Sequence, residues 1–549
     1  MFNRLPFLFP FLIVTVFLAS CATGPERPVV GPGEGYNCQA PVSTSAGQVQ
    51  GSFDPEGKTC SWKGIPYAAP PVGGLRWKAP QPSPAWNGVR DATRYGNACA
   101  QLGMYKFSNH VPSSYSEDCL SLNIWRPSRP GTFPVMVFIH GGGFVLGAGA
   151  TPMYFGDRLA GNGNVIVVSI NYRLDAFGFL ALEELAREDP NGSTGDYGIL
   201  DQIAALKWVR DNIADFGGDP KNITIFGQSA GGFSVCTLMA TPLAKGLFQR
   251  AIIESGGCEV AWPLEKGFET GRWSARELGC AANDLSCLRG KSTREVLNKL
   301  GLSFLKSMQG QGLRFMPHQD NYVLSGTPLS YLLSGNFNNV PLLLGSTRDE
   351  FQVFSLLGGK GAKSPEAYAA RVREIYGPDA ETLLKLYPVE NYANPGLAYA
   401  AIISDRSLSC PVYNTARAVS PQQKSVYLYR FDYDETRFSR TIGALHGAEL
   451  PFVFQSFDRW PEHFLFSPED RAKALPLSRI IQNYWSKFAR TGDPNVEGQP
   501  VWLPFTSDRP EALVFDQRID RAGTENQEKC SFWEKFNRTH PPIFAPGQI

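Results

Sequence analysis

Thr224-Ile225-Phe226-Gly227-Gln228-Ser229-Ala230-Gly231-Gly232 carries a β-branched and aromatic run into a serine flanked by Gly227 and Gly231. The pattern predicts a strand over 222–226, a tight turn at Ser229, and a helix opening near Ala230. Only small neighbours allow so sharp a strand-to-helix turn, which holds the serine backbone in a strained conformation and projects its Oγ beyond the sheet edge. Gly-x-Ser-x-Gly alone is a weak five-residue pattern in a chain with 55 glycines. The strand before it and the apolar helix after it make it specific.

A serine hydroxyl needs a base, an acid to orient that base, and donors for the oxyanion that its attack creates. The buried-strand pattern Val135-Met136-Val137-Phe138-Ile139 ends in His140-Gly141-Gly142-Gly143-Phe144. Consecutive glycines can turn their N–H groups into a site with no Cβ in the way, so the N–H groups of Gly142, Gly143 and Ala230 are the expected oxyanion hole. His140 reads as a residue that shapes this loop. The chain has six histidines, and in a strand–serine–helix fold of this kind the order is serine, acid, histidine. That leaves His318, His446, His463 and His540. His446 lies in a glycine-flanked loop, Gly443 to Glu449, after a predicted strand over 425–433. His463 and His540 sit among Trp, Phe and Pro, and His318 could line a pocket. For the acid, a strand over 341–345 runs into Arg348-Asp349-Glu350-Phe351, which offers two candidates.

The motifs together resemble the type B carboxylesterases and cholinesterases of the α/β-hydrolase superfamily. The resemblance runs through Gly64-Ile65-Pro66-Tyr67-Ala68, Leu75-Arg76-Trp77, Glu117-Asp118-Cys119-Leu120-Ser121-Leu122-Asn123, Asn171-Tyr172-Arg173, Phe216-Gly217-Gly218-Asp219-Pro220, the serine turn and His446-Gly447-Ala448-Glu449. It implies an α/β fold: a large mixed sheet with helices on both faces and helical or loop insertions around the site. It also implies a serine carboxylic ester hydrolase with Ser229 as nucleophile, Glu350 as acid, with Asp349 its rival, and His446 as base. Ser255, Glu449 and Gln228 are implied around this triad, Ser255 supporting the acid. Phe351 stands where the family usually has glycine. Arg76 with Glu117, and Arg173 with Asp201, resemble the family's internal ion pairs, and Asp118 and Asp219 read as loop-capping acids. Some members of the family keep the fold as adhesion modules without a nucleophile; the complete triad here argues against that role.

Eleven cysteines point away from a reducing cytosol. By resemblance, Cys99 pairs with Cys119, Cys280 with Cys287, and Cys410 with Cys530; Cys38 and Cys60 flank a hairpin-like segment and could form a fourth bridge. Cys236 reads as a buried free thiol on the helix after Ser229, with pairing to Cys258 the lesser alternative. The eleventh, Cys21, follows Arg4 and an apolar run, Leu8 to Leu18, in the layout of a secretory signal. Leu18-Ala19-Ser20-Cys21 resembles a bacterial lipobox, in which the cysteine becomes the lipidated first residue; ordinary cleavage after Ala22 is the alternative. The expected organisation is a signal peptide over 1–20, a Gly/Pro-rich tether over 21–37 of roughly 50 Å at full extension, and one hydrolase domain over 38–549. Ala22 is not the aspartate that retains such proteins at the inner membrane. An exported protein is therefore expected, on the outer membrane if lipidated and otherwise periplasmic or secreted.

A net charge of +1 gives no nucleic-acid footprint, and no cysteine–histidine cluster has metal-ligand spacing. No cofactor loop is visible. In cholinesterases a tryptophan between the counterparts of Cys99 and Cys119 stacks on a quaternary ammonium, and a glutamate precedes the nucleophile. Here that loop offers Tyr105, Phe107 and Tyr115, and Gln228 replaces the glutamate. Apolar or neutral esters are therefore expected ahead of choline esters. Leu313, Phe315 and Met316 fall near the family's acyl-pocket segment and read equally well as plain core.

Overall fold

Alternation along the strands builds the two cores. In the stretch after Phe133, Val135, Val137 and Ile139 enter one apolar cluster, while Met136 and Phe138 enter the other, on the opposite face of the sheet. The computed structural model describes residues 35–102, 114–301, 312–352, 362–438, 442–459, 461–523 and 527–540. Cys21, most of the tether, Tyr105 and Phe107 lie outside them.

The main sheet has eleven strands: β1 Ser52–Asp54, β2 Thr59–Pro66, β3 Ser121–Pro127, β4 Phe133–Ile139, β5 Ile166–Ile170, β6 Gly218–Gln228, β7 Arg250–Glu254, β8 Leu342–Thr347, β9 Val426–Phe431, β10 Glu511–Phe515 and β11 Asp520–Gly523. Their spatial order is β1-β2-β3-β5-β4-β6-β7-β8-β9-β10-β11. The strands from β5 to β10 pair in parallel, and both ends of the sheet are antiparallel. Parallel strands need crossover helices, which cover both faces. One such helix, α1 (Tyr197–Asn212), precedes β6, and α2 (Ala230–Ala240) follows it. Helix α3 (Cys410–Val419) precedes β9, and α4 (Pro468–Thr491) brings Ile481, Trp485 and Phe488 to the second face. Parallel pairing aligns the carboxyl ends of β4, β6, β7 and β8, so the loops after Ile139, Gln228, Glu254 and Thr347 gather at one edge.

The predicted ion pairs form. Arg76 donates to both carboxylate oxygens of Glu117 at 2.7 and 2.6 Å, and Arg173 to both of Asp201 at 2.7 Å each, with both pairs buried. Asp219 caps its loop by accepting the Lys221 N–H at 2.9 Å, but Asp118 does not act as a cap: it is exposed and holds its turn through its own N–H, donated to Ser116 Oγ.

Five disulfides are present: Cys38–Cys60, Cys99–Cys119, Cys236–Cys258, Cys280–Cys287 and Cys410–Cys530. The third corrects the reading of Cys236 as a free thiol. Helix α2 runs so close to the loop after β7 that a Cβ on Gly256 would lie 2.7 Å from Gly232, and this approach brings Cys236 to Cys258. Five bridges mark an exported protein.

Asp201→Asn leaves the Arg173 guanidinium buried without its counter-charge. Urea unfolding should show a loss of about 3–5 kcal/mol, against less than about 1 kcal/mol for the exposed pair partner Glu269→Gln.

Candidate active site

Ser229 occupies the turn between β6 and α2 with φ 59° and ψ −121°, a region open to L-residues only under constraint. Its N–H donates to Glu254 O at 2.9 Å, and its carbonyl accepts the Phe233 N–H at 2.9 Å. The turn is compressed from below as well: a Cβ on Gly231 would lie 1.9 Å from Ile139 O, so only glycine allows α2 to start there. Within this otherwise buried segment the serine is partly exposed.

The glycine loop after β4 faces the same turn. Gly142 has φ 110°, where a Cβ would lie 2.1 Å from Leu146 O. Its carbonyl accepts the N–H groups of Val145 and Leu146, while the N–H groups of Gly142, Gly143 and Ala230 donate to no group among the described residues. Three unengaged donors beside a partly exposed serine can hold an oxyanion. His140 shapes this loop as expected: its ring stacks on Tyr172 at 4.5 Å, its Nδ1 lies 2.9 Å from Gly141 O, and burial pushes its pKa down to about 4.

Glu350 and His446 meet across 96 residues of chain. Glu350 is fully buried; its Oε1 accepts the Thr347 N–H at 2.8 Å, and its Oε2 accepts from His446 Nδ1 at 2.5 Å. A carboxylate at Nδ1 places the ring hydrogen there and leaves Nε2 as the acceptor. The Gln228 amide lies 3.1 Å from Nε2 and so competes for that lone pair. Asp349 serves a different purpose: its Oδ2 accepts the Ala444 N–H at 2.9 Å, tying down the loop that carries His446. Phe351, in place of a glycine, is buried, with its N–H donated to Ser404 Oγ at 3.0 Å.

Behind this pair lie two carboxyls that the structure places more closely than the sequence suggests. Glu449 and Glu254 are both fully buried, and Glu254 Oε1 accepts from Trp485 Nε1 at 2.8 Å. Burial pushes Glu254 up to about 7, and burial, with Glu254 and Glu350 nearby, raises Glu449 well above the usual range. Ser255 (φ 49°) is within electrostatic reach of Glu449 and makes no hydrogen bond to Glu350, so its support for the acid is indirect. Glu254 was missed from the sequence because it reads as the last residue of an apolar strand. Three other described histidines have partners elsewhere: His318 is buried with Nδ1 3.2 Å from Gly195 O, His463 packs on Phe464, and His540 stacks on Phe536. Leu313, Phe315 and Met316 belong to the main core.

A carboxylesterase-family profile matches residues 39–533. The chain belongs to the carboxylesterase family. It is 38% identical to the para-nitrobenzyl esterase of Bacillus subtilis over 494 residues, covering 89% of this chain and 97% of that one. It is 36% identical to the fumonisin B1 esterase of Sphingopyxis macrogoltabida, covering 87% and 86%, and 34% identical to the acetylcholinesterase of Bungarus fasciatus, covering 90% and 86%. Among solved structures, a carboxylesterase of Geobacillus stearothermophilus superposes with a TM-score of 0.80 at 34% identity, over 90% of this chain and 99% of that chain. A PNB esterase superposes at 0.77 and 36%, over 90% and 100%. These esterases and the α/β-hydrolase sheet identify this member of the family as a serine carboxylic ester hydrolase.

Glu254 gives the site a pH-dependent contribution to stability. Its folded pKa, about 7, lies above the ordinary 4.5, so the folded state holds a proton that the unfolded chain releases. The contribution is present below about 4.5 and is lost as pH rises towards 7. Glu254→Gln keeps a carbonyl for Trp485 and cannot ionise; relative to wild type it should gain on the order of 1–3 kcal/mol between about pH 5 and pH 8. A pH-independent difference in unfolding free energy would refute the assignment.

Proposed function

We propose that the chain hydrolyses apolar or neutral carboxylic esters through an acyl-enzyme on Ser229. His446 Nε2 takes the Ser229 proton as Oγ attacks the ester carbonyl, and the N–H groups of Gly142, Gly143 and Ala230 hold the resulting oxyanion. His446 then protonates the leaving alcohol, and water activated by the same nitrogen frees the acid. Glu350 holds the Nδ1–H tautomer and stabilises the imidazolium. The observation that carries this reading is the 2.5 Å contact between His446 Nδ1 and Glu350 Oε2, next to a serine whose φ is 59°. For the first proton transfer the Gln228 amide must yield Nε2 to Ser229. The Bacillus subtilis relative's name makes a para-nitrobenzyl ester a natural assay substrate.

Lipidation of Cys21 would tether the enzyme, after signal removal, to the outer membrane of a bacterium through the 21–37 segment. The lipobox-like Leu18-Ala19-Ser20-Cys21 supports this. A diacylated, N-acylated cysteine anchors stably, since each buried CH₂ contributes about 0.8 kcal/mol.

Two experiments test these readings. Ser229→Ala should lower kcat by at least about 10⁴-fold with the fold intact, and Glu350→Gln should reduce it far more than Asp349→Asn. Near-wild-type turnover in Ser229→Ala, or the reverse ranking of the two acids, would contradict the assignment. Cys21→Ser should release the enzyme from membranes or stall its processing without changing specific activity, whereas an unmodified mature N-terminus at Thr23 would show ordinary cleavage.

A further inference from the structure

Three of the five bridges match the family resemblance, and Cys236–Cys258 is not among them. Cys236 stands about two helical turns along α2, the helix that starts directly after Ser229. Cys258 follows β7 shortly after Glu254, whose carbonyl accepts the Ser229 N–H at 2.9 Å. A closed ring results: from Ser229 along α2 to Cys236, across the bridge to Cys258, back along the chain to Glu254, and by hydrogen bond to Ser229. Inside the ring α2 meets the loop after β7 through bare backbone, since a Cβ on Gly232 would lie 3.0 Å from Gly256 Cα and one on Gly256 2.7 Å from the Gly232 carbonyl carbon.

Two facing glycines bury almost no apolar side chain, so this approach contributes little attraction of its own. The loop is braced from its other side. A Cβ on Gly257 would lie 2.2 Å from Pro411 Cβ in α3, the Cys258 N–H donates to Thr415 Oγ1 at 3.3 Å, and the Cys258 carbonyl accepts the Leu329 N–H at 2.6 Å. Cys258 is thus a fixed post, and the buried bridge ties α2 to it. Resting on the Ser229 chemistry proposed above, we propose that Cys236 and Cys258 are positioning residues for the nucleophile: their bridge holds α2 against the loop after β7 and so maintains the strained φ of Ser229, together with the Ala230 N–H that opens the helix. Without the bridge α2 draws back from Gly256, and the serine relaxes towards an ordinary backbone conformation. The loss falls on the rate of attack rather than on substrate affinity, because a nucleophile displaced by about 1 Å costs on the order of 10²-fold in rate.

The test compares Cys236→Ala with Cys258→Ala against Cys38→Ala with Cys60→Ala in the full-length enzyme. Both bridges join cysteines 22 residues apart, so their removal frees the unfolded chain to a similar extent. Cys60 lies in β2, at the antiparallel end of the sheet and away from β6. The readout is covalent labelling of Ser229 by an uncharged organophosphate, resolved into a maximal rate and a half-saturating concentration. Loss of Cys236–Cys258 should lower the maximal rate at least about ten-fold and leave the half-saturating concentration within about two-fold, whereas loss of Cys38–Cys60 should change neither. Equal maximal rates in the two variants overturn the proposal, and so does a loss confined to the half-saturating concentration. Should Cys236→Ala with Cys258→Ala fail to fold, Cys236→Val with Cys258→Ala refills the volume of the bridge, and the same comparison decides. Wild-type enzyme that the organophosphate leaves unlabelled overturns the Ser229 reading itself, and the positioning role with it.

Discussion

The whole site depends on one backbone constraint, the left-handed φ of Ser229 at the point where β6 becomes α2. Such a conformation costs on the order of 1–3 kcal/mol and persists only where surrounding structure enforces it. Here the enforcement comes from three directions: the neighbouring strand through the Glu254 carbonyl, α2 through the Phe233 N–H, and β4 through the contact of Gly231 with the Ile139 carbonyl. Each of these belongs to the parallel core of the sheet. The strained, partly exposed position of Ser229 is thus a consequence of packing two strands and a helix closer than any side chain allows.

That packing also brings the charges together. Parallel register puts the loops after β4, β6, β7 and β8 at one edge, so a carboxylate buried after β8 can face a histidine delivered by the loop after β9. Burial of Glu350 is tolerable because Thr347 and His446 both hydrogen-bond it. Behind it, Glu254 and Glu449 have no cationic partner among the described residues, and their raised pKa values favour neutral carboxyls there. A fully charged trio would otherwise crowd three anions behind one imidazole. Tyr429, whose hydroxyl is buried near all three, is pushed up chiefly by burial and then by these acids.

The periphery is fastened by different means. The bidentate Arg76–Glu117 pair joins two loops, the Arg173–Asp201 pair fastens the segment after β5 to α1, and the bridge Cys236–Cys258 fastens α2 to the loop after β7. Arg173 also donates to the carbonyl of Lys78, joining segments distant in sequence.

The sequence alone determined the strand–serine–helix turn and the glycine loop, because these follow from local patterns: β-branched runs and glycines at positions requiring positive φ. The sheet class and three of the five disulfides came through the family resemblance of its ordered motifs, with Cys38–Cys60 left as a fourth that could form. Local pattern also singled out His446 among six histidines. Tertiary structure decided what depends on approach between distant segments. Spacing left Asp349 and Glu350 both open, and only folding shows one carboxyl bound to the His446 ring and the other to the Ala444 N–H. Cys236 reads as an ordinary core residue until α2 and the loop after β7 come within a glycine's width. Glu254 looks like a strand end in sequence, because desolvation is a property of the packed neighbourhood rather than of the residue itself.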